Sequence, residues 1–194
     1  MNKIISEFAL TLSQQEGLFT DSRDGKSYRI VKIGSQIWMA ENLNYATEGS
    51  KYYNNDHSNG QKYGRLYDWN TAKEACPSGW HLPSRSEWEE LDKVVGGEKV
   101  AGKKLKAEDG WNEGGNGMDE FGFSALPGGR GYSDGSFSSV GDSFCSVGGS
   151  GYWWSASEFN SNCAYYRLMC YLDEYAYWGS YGKSNLFSVR CVKD

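Results

Sequence analysis

The stretch ACPSGWHLPSRSEWEEL, Ala75 to Leu91, decides the fold. Pro77 has no N–H and closes whatever helix precedes it, so a helix over Leu66–Cys76, with Leu66, Trp69, Ala72 and Ala75/Cys76 at helical spacing, ends here. Ser84 followed by Glu87 is a capping-box pattern, and Trp88, Leu91, Val94 and Val95 then form one apolar stripe that Gly96-Gly97 terminates. Working outward toward the amino end, residues 44–64 are rich in Tyr and Asn without periodicity and read as a polar, aromatic loop. Tyr28 to Met39 alternates around Gly34-Ser35 and reads as a hairpin of two short strands. Toward the carboxyl end, a short helical turn is expected over Val100–Leu105, and residues 106–151 lack regular periodicity. GGRGYSDGSFSSVGDSFCSVGGSG, residues 128–151, is too rich in Gly and Ser for helix interiors. Strand character returns at Tyr152–Ser155, Ala164–Leu172 and Leu186–Val192, where Phe187, Val189 and Cys191 share a face. The result is an α+β class, with two helices in front, a long irregular middle and an antiparallel sheet at the end.

Size and charge bound the function. With 194 residues the chain suits one domain, residues 19–194, preceded by a lead-in over 1–18. No apolar run approaches the ~20 residues needed to cross a bilayer, so no membrane span is expected. Lys and Arg number 20 against 25 Asp and Glu, so the basic field that nucleic-acid binding requires is missing. The two histidines, His57 and His81, cannot build a three-histidine metal centre, and His81, just before the capped helix, reads as a structural hydrogen-bonding residue. The five cysteines are an odd number, which leaves the redox compartment open. In the first residues, Ser6 and Glu7 interrupt the apolar run, so no intact secretion signal is read. Either a leader has been removed or the protein reaches the outside by another route, such as a virion or filament.

Four separated motifs in order, DGKSYRIVKIGSQIWMAENLNY (Asp24 to Tyr45), ACPSGWHLPSRSEWEEL, FGFSALPGGR (Phe121 to Arg130) and YWWSASE with SVRCVKD at the end, resemble the Fibrobacter succinogenes major paralogous domain family. The layout resembles the C-type lectin-like fold, and WHLPSRSEWEEL is similar to the matching segment of its formylglycine-generating-enzyme branch. In the wider fold the cysteine after the first helix joins the one in the last strand, which implies a Cys76–Cys191 disulfide. Closing that loop of ~115 residues contributes about 4 to 5 kcal/mol in the chain-entropy model. The residues alone leave two thiols packed side by side as the alternative.

Residues 152–186 resemble the variable region of proteins diversified by retroelements through adenine-directed mutagenesis. Between Phe159 and Tyr181 both faces of the chain carry large groups, where a sheet with one wet face alternates. A strand buried on both sides is the plain alternative. Tyr with Ser, Gly and Asn is, however, the composition of adaptable paratopes. The resemblance implies a non-catalytic protein whose ligand contacts are Phe159, Cys163, Tyr166, Leu168, Cys170, Leu172, Asp173, Tyr175, Tyr177, Gly179, Ser180 and Tyr181. Met169, Glu174, Trp178 and Lys183 are left out, because adenine mutagenesis of asparagine codons cannot produce them. The expected partner is a protein or glycan on a cell surface, with no cofactor and no metal. The expected location is the cell surface or a virion, with the amino-terminal segment serving oligomerisation or attachment.

Three other readings compete. A plain surface paralogue would bind glycan or protein without diversification. A copper oxidase of the formylglycine-generating type would use Cys163 and Cys170, but their spacing departs from that family's, and opposite parity puts them on opposite strand faces where soft copper(I) wants converging thiolates. Calcium-dependent sugar binding has only Trp111-Asn112-Glu113 with Asn116, Asp119 and Glu120 to offer. Trp153, Trp154 and Trp178 are open to glycan stacking, while Trp38, Trp80, Trp88 and Trp154 are favoured as core.

Overall fold

The computed structural model describes residues 16–137 and 146–194. The hairpin forms where the alternation places it, as β2 (Ser27–Ile33) and β3 (Gln36–Met39), paired Ile33↔Gln36 to Ile30↔Met39 around Gly34 at φ +61°. A further strand, β1 (Glu16–Thr20), adds antiparallel to β2 and straddles the boundary drawn at residue 18. Helix α1 (His57–Tyr63) occupies part of the segment read as loop. Its sequence has no apolar stripe to announce it. Asp56 caps it by accepting from the Ser58 N–H at 2.9 Å, and Gly60 in its middle leaves room for the Tyr52 ring, which a Cβ would meet at 2.1 Å.

The helix expected from Leu66 splits. Leu66 and Tyr67 become a short strand, β4, and α2 (Trp69–Ala75) starts only after Asp68, whose carboxylate accepts from the N–H groups of Asn70 and Thr71. Strand β5 (Trp80–His81) leads into α3 (Arg85–Val95), which carries the capping box in full and ends at Gly96 in the left-handed region. The short turn expected at Val100–Leu105 is a helix, α4 (Glu98–Leu105). The described residues therefore hold four α-helices rather than two.

At the carboxyl end, β6 (Ser150–Glu158) and β7 (Cys163–Cys170) are longer than expected or shifted by a residue or two. Strand β8 (Ala176–Gly182), which the polar residues around Asp173 and Glu174 hid, pairs with β7. The last strand character divides between β9 (Phe187–Ser188) and β10 (Val192–Lys193), which belong to different sheets. One sheet has the order β1-β2-β3-β10-β5 and the other β4-β9-β6-β7-β8. Both are antiparallel except for the parallel bridge of Trp153 to Ser188.

Two apolar clusters hold these layers together. One packs Trp38, Trp88, Phe123, Trp153 and Met169 between the sheets and α3–α4, and the other packs Tyr67, Trp69, Trp154, Phe187 and Val189 against α2. The four tryptophans expected in the core are there. Trp153 is fully buried as well, and the indole N–H groups of Trp153 and Trp154 donate to Asn42 Oδ1 and the Tyr67 carbonyl at 2.8 Å each, so neither offers a ring to a glycan. At the centre, buried Arg190 donates to Asn42 Oδ1 at 2.8 Å and to the carbonyls of Met39 and Phe123, and burial pulls its pKa down to about 9. Cys76 and Cys191 form a disulfide that joins the end of α2 to the residue just before β10, across 115 positions of sequence.

Candidate ligand-binding surface

The β7–β8 ribbon holds nearly all of the expected contacts. Its register, from Cys163↔Gly182 to Met169↔Ala176, sorts them onto two faces. Tyr166, Leu168, Tyr177, Gly179 and Tyr181 share one face and are all half-buried. The Tyr166 ring lies across Gly179, where a Cβ would meet the phenol oxygen at 2.5 Å, and packs on Phe187 at 5.0 Å and Tyr152 at 5.7 Å between centroids. Tyr181 stacks on Phe187, and the Arg130 guanidinium lies 5.0 Å from the Tyr181 ring, 5.3 Å from Tyr152 and 5.1 Å from Tyr132. These rings therefore rest on the core and show solvent one side.

The β7–β8 turn extends this face. Leu172 is 61% exposed and Tyr175 37%. The Tyr175 and Tyr177 rings stack at 5.4 Å, 10° from parallel. The Tyr177 hydroxyl donates to Asp173 Oδ2 at 2.5 Å, and Asp173 Oδ1 accepts from the Tyr175 N–H. That hydrogen bond to a carboxylate pushes the Tyr177 phenol up to about 12, so it stays a donor at neutral pH.

Cys163 and Ser180 point the other way, as strand parity requires, among Tyr165, Arg167 and Trp178. Phe159, 54% exposed in the β6–β7 turn, leans edge-on against Tyr165 at 5.4 Å. This face is largely covered by α3: Arg167, fully buried, donates to Asp92 at 2.7 Å and lies 4.6 Å from the Trp178 ring, and Arg85 lies over Tyr165. Burial pushes the Asp92 carboxyl up to about 6 against the pull of Arg167. Trp178 is thus partly spent on two guanidinium groups. Cys170 is 1% exposed, its thiol pushed up by burial, and it is no contact residue. The predicted set therefore divides: the face with Tyr166 and the turn form one surface, Phe159, Cys163 and Ser180 lie across the sheet from it, and Cys170 drops out.

The alternatives meet the same geometry. Cys163 and Cys170 occupy opposite ends and opposite faces of β7, roughly 23 Å apart at strand rise, and cannot converge on one copper ion. Asn116 spends its side-chain oxygen on the Trp111 N–H, and Asp119 accepts from the N–H and hydroxyl of Ser124 at 2.6 Å each, so these oxygens are turn caps. His81 is held between Asp194 at 2.6 Å and Glu87 at 2.7 Å, in the structural role expected of it. Burial opposes its charge, but the two carboxylate partners outweigh burial and raise its pKa.

Sequence reasoning missed Arg130 and Tyr132, which border the surface from a segment with no periodicity. It also missed the Arg85–Tyr165–Trp178 cluster, for which the alternation within β7 was a usable signal.

Comparison with known proteins adds one positive result. The family model of the Fibrobacter succinogenes major domain matches residues 31–193. No curated protein and no solved structure matches the chain.

Proposed function

The chain belongs to the Fibrobacter succinogenes major domain family, and from that premise we propose that it is a non-catalytic recognition protein whose ligand docks on the Tyr166 face of β7–β8 and on the turn beyond it. One observation carries the reading: tyrosine and leucine side chains gather on a single face, seated on a rigid core, with one side of each left to solvent. Tyrosine supplies amphipathic contact area at low entropic cost, and a backbone held by packed sheets lowers the ordering cost of binding. The ligand is a protein or glycan of a cell surface.

The α+β arrangement, with its disulfide from helix end to the residue before the last strand, supports a C-type lectin-like fold. The motifs in Ala75–Leu91, now seen as a capped helix start, a His–carboxylate clamp and a packed tryptophan, serve to hold that fold. The disulfide favours an oxidising compartment, such as a cell surface or virion exterior. The amino-terminal segment, whose first 15 residues lie outside the described ones, would attach or oligomerise the domain. No helix among the described residues is long and apolar enough to cross a membrane.

Retroelement diversification of this surface is the finer form of the reading, and a plain surface paralogue with a fixed ligand is the second form. Flanking DNA separates them: a reverse-transcriptase gene with a second copy of the 3′ coding segment, differing only at adenines, supports the first. Docking itself is tested by probing arrays of bacterial and host polysaccharides, and intact cells, with the labelled full chain. The Tyr177→Ala and Tyr181→Ala variants should lose the parent's binding while remaining folded. Equal binding by both would remove this surface from the account.

A further inference from the structure

We propose that the turn Tyr171–Tyr175 is the specificity-determining loop of this surface and that Lys106 is its positioning residue, holding the turn by its main chain so that its outward side chains are free to differ. The inference rests on the docking reading above but concerns a separate property. Lys106 follows α4 and is 2% exposed. Its Nζ donates to the carbonyls of Cys170 at 3.0 Å and Asp173 at 2.9 Å, and lies 5.0 Å from the Trp111 ring. A buried ammonium costs much free energy unless its hydrogen bonds are met, and here two of them are met by the main chain, just before the turn and at its middle.

The other attachments follow the same rule. The Lys103 N–H donates to the Glu174 carbonyl at 3.1 Å, and the Tyr171 N–H donates to the Gly149 carbonyl at 2.9 Å. Gly102, inside α4 where glycine costs about 1 kcal/mol relative to alanine, lies where a Cβ would meet the Tyr175 carbonyl oxygen at 2.3 Å. Gly115 likewise lies where a Cβ would meet the Tyr171 carbonyl oxygen at 2.2 Å, although its φ of −71° would suit any residue. The side chains of Leu172 and Tyr175 take no part in any of these contacts. Tyr171 packs on the apolar cluster that includes Ala101 and Leu105 of α4, and Glu174 and Lys103 form an exposed pair, of a kind that contributes little. Asp173 shapes the turn from within, through Tyr175 and Tyr177.

Amide hydrogen exchange on the full chain tests this without a ligand, because the Lys103 and Tyr171 amides report whether the turn is docked. The Lys106→Met variant should raise exchange at both by roughly tenfold to a hundredfold, the scale of losing hydrogen bonds to a charged group, while the β6–β7 amides of Trp154 and Leu168 keep their protection. The double variant Leu172→Ser/Tyr175→Ser should leave Lys103 and Tyr171 within about twofold of the parent, as expected of exposed side chains. If Lys106→Met does not fold, Gly115→Ala, which adds only a methyl group against the Tyr171 carbonyl, should give the same local increase. The proposal is overturned if the double variant loosens both amides as much as the scaffold variants do, or if neither scaffold variant loosens them. Binding is read separately on the polysaccharide arrays. A double variant that is docked by exchange and still binds like the parent would contradict the turn's role in specificity, with the Tyr166 face left standing.

Discussion

The middle of the β7–β8 ribbon and its turn lie a few residues apart and are held in opposite ways. In the middle, side chains do the holding: Tyr166 rests on Phe187, Tyr152 and Gly179, and its neighbour Arg167 is locked to Asp92 across the sheet. In the turn, main-chain carbonyls do the holding, received by Lys106 and by the Lys103 amide, while Leu172 is exposed and Tyr175 rests on Tyr177 of the same ribbon. A surface anchored through side chains is expensive to change, and one anchored through the backbone is not. In the proposed docking site the two regions would therefore divide the work, with a fixed aromatic floor beside a replaceable rim.

The largest expected effect lies beneath the floor. Asp92→Ala leaves Arg167 charged and buried without its partner, and should cost about 3 to 5 kcal/mol, with the melting temperature falling by on the order of 10 °C in calorimetry. Tyr166→Ala removes a half-buried ring and should cost about 2 kcal/mol by denaturant titration, below the range for a fully buried aromatic. A loss near zero would mean that the floor is as replaceable as the rim. Leu172→Ser and Tyr175→Ser should each change stability by less than about 0.5 kcal/mol, and a larger loss would erase the contrast between the two regions.

The smallest effect is a pH slope remote from both regions, which calibrates them. His81 has a raised pKa in the folded state, so the stability contributed by its charge is full below its unfolded value of about 6.5 and is lost as pH rises through the folded value. Because the ring is substantially solvated, the change is under about 1 kcal/mol after allowance for screening. His81→Gln should flatten that slope in melts taken across neutral pH, with the ribbon amides unaffected.

Much of the frame was legible in the sequence, because its signals are local. The capping box at Ser84 and Glu87, the β2–β3 alternation and the stop at Pro77 each act within a few residues. Helix α1 was hidden because its stability comes from Asp56 and from Tyr52 packing on Gly60 rather than from an apolar stripe. Strand β8 was hidden because Trp178, Gly179 and Ser180 stand between its two tyrosines without an apolar alternation, and the polar turn before it reads as the end of regular structure. For the proposed docking surface, the sequence located the ribbon but could not choose faces. The burial of Cys170, the diversion of Cys163 and Ser180 to the helix-covered side, and the spending of Trp178 on Arg85 and Arg167 all depend on what packs against each face. Lys106 gave no signal, since one lysine among three near the end of α4 looks solvated until the turn that covers it is seen.

The central claim is that the rim can change without unfolding the domain and that changing it alters what is bound. The direct measurement is selection from a displayed library of the full chain, randomised at Leu172, Asp173, Tyr175 and Tyr177, against a panel of folded proteins and bacterial polysaccharides. The account predicts different rim sequences for different targets, each in a variant that melts within a few degrees of the parent, about what a change of 1 kcal/mol produces in a chain of this size. Recovery of no binder beyond the parent, or of binders only among variants that have lost cooperative melting, would contradict it.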